Sequence, residues 1–459
     1  MRPSLGTIFS GSGCAWGHAA LLCAGALLLP SAAAAPPEAE EPLRPPRQVA
    51  HPVKDTREYV APLTRLRNLR ARYLDSEQWR TGYLDILGTW TSFLGNDREA
   101  LACFDELDGL PGSPATPPRP HPLAGFRGLD ARKTILQLAE THQVVMMNEA
   151  HHVPMHRAFT LSLLGALYRR GFRYFAAETL STHDPELTSR GYPTLASGYY
   201  TMEPMHGELV RTALRLGYQV VPYEDERAVS PFTAADPVFA MNERERVQAL
   251  NLKTRILDHD PRAKIVIHAG YGHISERATS VAFGGKSGEL VVMAARFKAM
   301  TGIDPLTVDQ TSRTEHSAPE YEHPVYRLAV ESGHLCERPQ LFRNRRGEFY
   351  IPMGAEGIYD LMVFHPRSRY VQGRPSWRRL NGNRTPHRLP KDVRPPDGSS
   401  YLAQAFDAGE NPAVAIPLDQ IELRQAERTP PLLLPRHGEF RVRVVDAGGR
   451  VVREYIRRR

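Results

Sequence analysis

An α/β fold, with a mostly parallel sheet covered by helices on both faces, is predicted by three observations. Between about 130 and 370, short apolar runs alternate with amphipathic helical stretches. The runs are apolar almost without interruption, as strands buried on both faces are. Titratable residues follow each early run, where the carboxyl edge of a parallel sheet forms a ligand-binding crevice. An N-terminal helical segment and a small C-terminal β region flank this α/β part.

The chain has 459 residues, enough for two or three domains. Residues 1–35 read as a secretory signal peptide: Arg2, a polar stretch, then "AALLCAGALLLPSAAAA" (Ala19 to Ala35), whose small-residue end suits Ala-x-Ala cleavage. The run is short for a membrane span, and Leu22 stands where a lipoprotein signal wants a small residue before Cys23. An exported protein of the periplasm or cell envelope is expected, with no transmembrane helix in the mature chain. Cys103 and Cys336 then remain, as one disulfide or as two buried thiols. The net charge of +7 is spread along the chain without a nucleic-acid-binding motif, so a small-molecule or peptide substrate is expected rather than nucleic acid.

Residues 36–122 read as a disordered leader (36–48), helices over 55–108 and a Pro-rich linker. Leu63, Leu66, Leu69 and Leu74 recur at near-helical spacing, and Asn96 or Asp97 precedes the next apolar positions as a cap. "PGSPATPPRPHP" (Pro111 to Pro122) is the linker. Strands follow at 144–147, 173–177, 218–222 and 264–269, with helices over 156–171, 206–217 and 242–260 between them. Further strands are expected at 306–310, 325–330 and 358–366. Residues 382–400 read as a second linker, and 401–459 as all-β, with a hairpin turning at Gly448-Gly449.

The strand ends carry the chemistry. Glu149, His151 and His152 follow the first strand, Glu178 the second, and Glu224, Asp225 and Glu226 the third. His268 lies within the fourth, and His273 follows it. A single Glu after a strand is commonly a first-turn charge favoured by the helix dipole, and a histidine inside an apolar run is commonly a hydrogen-bonded core residue. Their convergence on one sheet edge is the signal. Pro154 suits a first helical position, so His151 and His152 fall in the strand–helix loop and His156 about one turn into the helix. His152 and His156 also have the i, i+4 spacing of a metal-binding pair.

Carboxylates beside imidazoles suit two jobs: activation of water by a histidine held in one tautomer, or ligation of a divalent metal that acidifies its water. Competing motifs fail. "FGGKSGEL" (283–290) has Ser280 where a P-loop needs its first Gly, "GYGHIS" (270–275) has Ser275 in place of the third Gly of a dinucleotide fingerprint, and no G-x-S-x-G elbow occurs.

"NEAHHVPMH" (Asn148 to His156) resembles the Gly-Glu-x-His-x-x-Pro-x-His segment of the ChaN-type haem-binding uptake proteins, a group related to erythromycin esterases and Tiki metalloproteases. "FAAET", "RERVQALN" (Arg244 to Asn251) and "VIHAGYGHI" are similar to further family segments in the same order, across roughly 130–370. The resemblance implies a site built from Glu149, His151, Glu178 and His273, with Arg244 as a supporting cation. His152, His156, Glu224 and His268 are expected as supporting residues or ligands; metal candidates are His151, His156, Glu178 and His273. Asn148, Glu245 and Gln248 depart from the family's Gly, Asp and Met, and a side chain at 148 is expected to narrow the pocket or move the loop. Two functions follow as expectations: an exported hydrolase acting on an ester, lactone or peptide bond, or a non-catalytic envelope protein holding haem or iron, with Tyr199, Tyr200 or Tyr271 as ligand.

Overall fold

The computed structural model describes residues 42–50, 58–109, 121–231, 233–335, 337–424 and 429–459. The signal-peptide reading of 1–35, nearly all of the Pro-rich stretch 111–122, and Cys336 lie outside them.

Six parallel strands form the central sheet: β1 (Val144–Glu149), β2 (Tyr174–Ala177), β3 (Gln219–Pro222), β4 (Ile265–Gly270), β5 (Leu306–Asp309) and β6 (Leu361–Met362). Their spatial order is β6-β5-β1-β4-β2-β3. Side chains alternate across a strand, and this sheet buries both sides. Val145 and Met147 face a core shared with helices Ala131–Leu138, Pro154–Arg169 and Pro204–Leu216. Val144 and Met146 face a second core shared with helices Pro237–Leu252 and Met293–Thr301. Each such fully buried side chain stabilises the fold by roughly 1.5–3 kcal/mol.

The winding direction explains the two faces. From β1 through β2 to β3 the crossover helices lie on one face; the chain then doubles back, threads β4 between β1 and β2, and lays its next helices on the other. The reversal brings the carboxyl ends of β1, β4 and β2 side by side. Glu149 pairs in register with Gly270, and Ala177 with His268.

Local chemistry sets the helix starts. Pro154 and Pro204 occupy first-turn positions, and Glu203 caps the second of these helices by accepting the His206 amide at 2.9 Å. Two expectations are corrected here. Residues 325–330 are not a strand but the middle of helix Pro324–Glu331, where the His323 ring accepts the Val325 amide at 3.1 Å. Val325, Tyr326 and Ala329 are buried at helical spacing. Residues 382–400 are not merely a linker, because they include β7 (Arg384–His387), which pairs with β10 (Leu432–Pro435) and buries Arg384. The stretch Thr279–Leu290 containing Gly-Lys-Ser is a two-stranded hairpin with its turn at Gly284-Gly285.

The C-terminal region is the expected β structure. Strands β8 (Ser400–Asp407), β9 (Asp419–Arg424), β11 (Glu439–Val445) and β12 (Val451–Arg458) form an antiparallel sheet in the order β9-β8-β11-β12. Ala403, Ala405, Val442 and Val444 face Leu432 and Leu434 in a small sandwich core. Leu402 and Val445 point the other way, into the N-terminal helices Val60–Asn68, Arg70–Leu74, Arg80–Phe93 and Asp97–Leu107. Tyr59, Leu63, Trp90 and Phe93 of those helices share one core with Met202, Leu402, Ile416 and Val445. Asn96 stands at the expected cap position, but its amide donates to Glu422 at 2.8 Å. The leader reading is revised at its end, where Pro46–Ala50 is a short helix. Cys103 is a free buried thiol that burial pushes up to about 12. Among the described residues no helix is long and apolar enough to cross a membrane.

Candidate functional site

Glu149 ends β1 at the centre of the sheet, and its carboxylate is fully enclosed. Arg157, one turn into the next helix, grips both oxygens at 2.6 and 2.7 Å. His268 Nε2, from the adjacent strand, donates to the same group at 2.8 Å, and His151 Nδ1 donates at 2.9 Å. Burial alone would raise the Glu149 carboxyl, but the guanidinium and the two imidazole hydrogen bonds outweigh it and hold it well below the usual carboxylate range. Thr160 donates its hydroxyl toward His268 Nδ1 at 3.3 Å, which fixes that ring.

A second charged group lies at the end of β2. Glu178 accepts the Gly270 amide at 2.5 Å and the Arg244 guanidinium at 2.6 Å. Arg244 also pairs with Glu224, which follows β3 and accepts Gln248 at 3.0 Å. His273 Nε2 is 3.3 Å from Glu178, and its Nδ1 is 2.6 Å from Glu245. Burial would lower this imidazole, but the two carboxylates dominate and raise it to about 10. His273 is thus a cation at neutral pH. Burial acts upward on Glu178, but His273 and Arg244 hold it well below the usual range.

His151 joins the two groups. A Cβ built on Gly270 would stand 2.6 Å from His151 Nε2 and 3.0 Å from a Glu178 oxygen, so this position must be glycine for the ring to approach Glu178. The His151 ring stacks on Tyr200 at 3.8 Å and meets Tyr271 edge-on at 5.2 Å. Its side chain is 16% exposed against 2% for Glu149, so His151 is the member of this pair that a substrate can reach.

The walls come from distant sequence. Trp90 of the N-terminal helices donates to Tyr199 OH at 3.0 Å, and Thr179, next to Glu178, accepts the Tyr200 amide at 2.9 Å. Gly198, with φ of 134°, brings this loop so near that a Cβ would overlap the Thr179 carbonyl oxygen. Phe104 stacks on His152 at 3.6 Å. Behind the site runs a buried chain of charges: Arg157 to Glu203 at 3.1 Å, Glu203 to Arg378 at 3.6 Å, and Arg378 to Asp97 at 2.7 Å.

The geometry gathers Glu149, His151, Glu178, Arg244, Glu224, His268 and His273 along one edge, as the strand-end reading expects. It separates others. His156 Nδ1 accepts the Ala150 amide at 3.1 Å and its ring faces His365, so it holds the loop after β1 instead of standing with Glu178 and His273. His152 Nδ1 lies 3.3 Å from Tyr271 OH, and the helix begins only at Pro154, so the i, i+4 metal pair with His156 does not form. Asn148 does not narrow the pocket. Its buried amide donates to Asp309 at 2.8 Å and to the Tyr271 carbonyl at 2.9 Å, anchoring a tyrosine whose φ is 38°. Arg157, Glu203 and His206 escape the sequence reading, and Glu245 entered it only as a departure from the family's Asp. Each sits on or at the start of a helix, and for the first three only the Pro-x-His at the start of helix Pro204–Leu216, repeating that at 154–156, gives any signal.

Glu149, His206 and His268 place one oxygen and two ring nitrogens within 4.8 Å of one another, a donor set compatible with a transition-metal ion. Both His206 nitrogens are buried without a partner. Arg157 already fills the cation's place on Glu149, however, and an ion there would lie against a buried guanidinium. With that guanidinium in place, the three residues do not fit a divalent ion. Of the tyrosines offered for iron, Tyr199 OH accepts the Trp90 indole at 3.0 Å, while the Tyr200 ring stacks on His151 and the Tyr271 ring meets it edge-on.

Fold and site define a doubly wound α/β protein with acids, imidazoles and guanidiniums at the carboxyl edge of four neighbouring strands. No protein-family model and no curated protein matches the chain. A solved structure described as the type III effector HopBA1 aligns at 17% identity over 47% of this chain and 96% of that chain, with a TM-score of 0.29. Two structures described as bacterial protein toxins align at 13% and 15% identity over 50% of this chain and 47% and 45% of those chains, each with a TM-score of 0.29. At these values the likeness assigns neither a family nor an activity.

Proposed function

We propose that this chain is a hydrolase in which His151 deprotonates a water molecule for attack on an ester, lactone or peptide carbonyl. The placement of His151 carries this reading. Its Nδ1–H is held on Glu149 at 2.9 Å, its face is clamped by Tyr200, and Nε2 lies against Gly270 near Glu178, on a side chain that is 16% exposed. A carboxylate on Nδ1 fixes the tautomer whose Nε2 lone pair accepts a proton, and stabilises the imidazolium that results. Arg157 keeps Glu149 ionised for that role.

His273 takes the opposite part. Raised to about 10, it already holds its proton and cannot serve as the base at neutral pH. Its two ring nitrogens face Glu178 and Glu245, so with Arg244 it holds Glu178 in place beside His151; the proton that His151 takes from water is the one it returns to the departing oxygen or nitrogen.

Turnover of ester, lactone and peptide panels by His151→Ala tests the proposal. Loss of activity by about 10²–10⁴-fold with unchanged unfolding is expected, as is activity that survives chelator treatment. Undiminished turnover in this variant would remove His151 as the base. A Soret band on haemin titration that disappears in Tyr200→Phe would instead favour the haem-binding reading.

A further inference from the structure

We infer that an arginine-lined groove at the two-stranded ribbon Phe126–Asp130/Gln340–Asn344 is a binding site for a compact polyphosphate-type anion. The ribbon's register sets Arg127 directly opposite Arg343. Residues opposed in this way share a face, and like charges there are destabilising. The turn after Asn344 adds Arg345 and Arg346, both exposed. Arg343 folds back to donate to the Gly347 carbonyl at 2.8 Å and lies over the Phe349 ring. Among the described residues no acidic side chain pairs with any of the four. Glu348, the acid nearest in sequence, accepts the Asn344 amide at 2.7 Å.

Four cations without an acidic partner meet at this end of the ribbon, and an anion seated among them would relieve their mutual repulsion. The groove has a volume of about 750 Å³ and is walled by guanidiniums, glycine backbone and Asn344, with Phe126 as its one apolar side chain. It offers little to an apolar ligand. Planar guanidiniums match the oxygens of phosphate groups in pairs. Because the lining is concave and drawn from both strands and the turn, it suits a small multivalent oxyanion that several arginines reach together, and not a flat bilayer.

Calorimetric titration of the full-length protein with inorganic tripolyphosphate is the test. Saturable binding that weakens with salt is expected. Arg127→Gln, and the double variant Arg345→Gln/Arg346→Gln, are expected to lose about tenfold in affinity per arginine removed. Without the anion, Arg127→Gln is expected to melt no lower than the parent, since it relieves a repulsive pair; at a fixed tripolyphosphate concentration the melting temperature is expected to rise more in the parent than in either variant. No saturable binding, or equal affinity in all three proteins, overturns the proposal. So does co-sedimentation with phosphatidylglycerol-containing vesicles that depends on these arginines and that tripolyphosphate fails to displace. That result would make the surface a membrane contact.

Discussion

Two carboxylates hold His273, which makes its charge a matter of folding as well as chemistry. The folded imidazole is raised to about 10, above its unfolded value of roughly 6.5. Its stabilisation is therefore fully present below about pH 6.5 and lost as pH rises through about 10. Thermal scans across that window are expected to show the parent losing stability more steeply than His273→Gln. Parallel profiles would mean that the imidazole is not cationic in the folded state. At this scale the sequence is half informative. Glu149, Glu178, Glu224 and His273 are legible because each interrupts or follows an apolar run. Arg157 and Glu203 are not, because their meaning lies in what they touch across the fold: a guanidinium on a helix face reads as a solvated charge until Glu149 is seen against it.

The elements that support the site are joined by the buried charges running from Asp97 through Arg378, Glu203 and Arg157 to Glu149. Removing Arg378 leaves Asp97 enclosed without its partner and Glu203 with Arg157 alone, and breaking a buried pair in this way costs about 3–5 kcal/mol. Arg378→Met is expected to destabilise the protein by that amount in denaturant titration and to lower turnover. A loss below about 1 kcal/mol, the range of an exposed pair, would show that the chain of charges is not coupled. The strands of the central sheet were legible because burial on both faces leaves an unbroken apolar run. Val325–Val330 misled because six residues of mixed polarity fit either period, and the deciding signal was the cap and first-turn pair His323-Pro324. Arg384–His387 misled because prolines and arginines resemble a linker, while its pairing with Leu432–Pro435 is set by residues far along the chain.

For the whole molecule, the joining of the two chain ends matters most, and nothing local announces it. Arg67 reaches Glu422 at 2.8 Å, and the N-terminal helices close their core on Leu402 and Val445. Deleting residues 401–459 is expected to expose the N-terminal helices to proteolysis, and to abolish the proposed hydrolysis with them. If the shortened chain keeps protease-resistant helices, the shared core is not what folds them. The same arrangement has a bearing on how the protein is made. Tyr59 and Trp90 leave the ribosome long before Val445, and at ~5–20 residues per second the delay is on the order of tens of seconds. Through that interval the segment that braces Tyr199 has no finished partner, so a nascent chain holds its histidines without the wall that aims them. The core around Tyr59 and Trp90 is therefore completed only when Leu402 and Val445 have emerged.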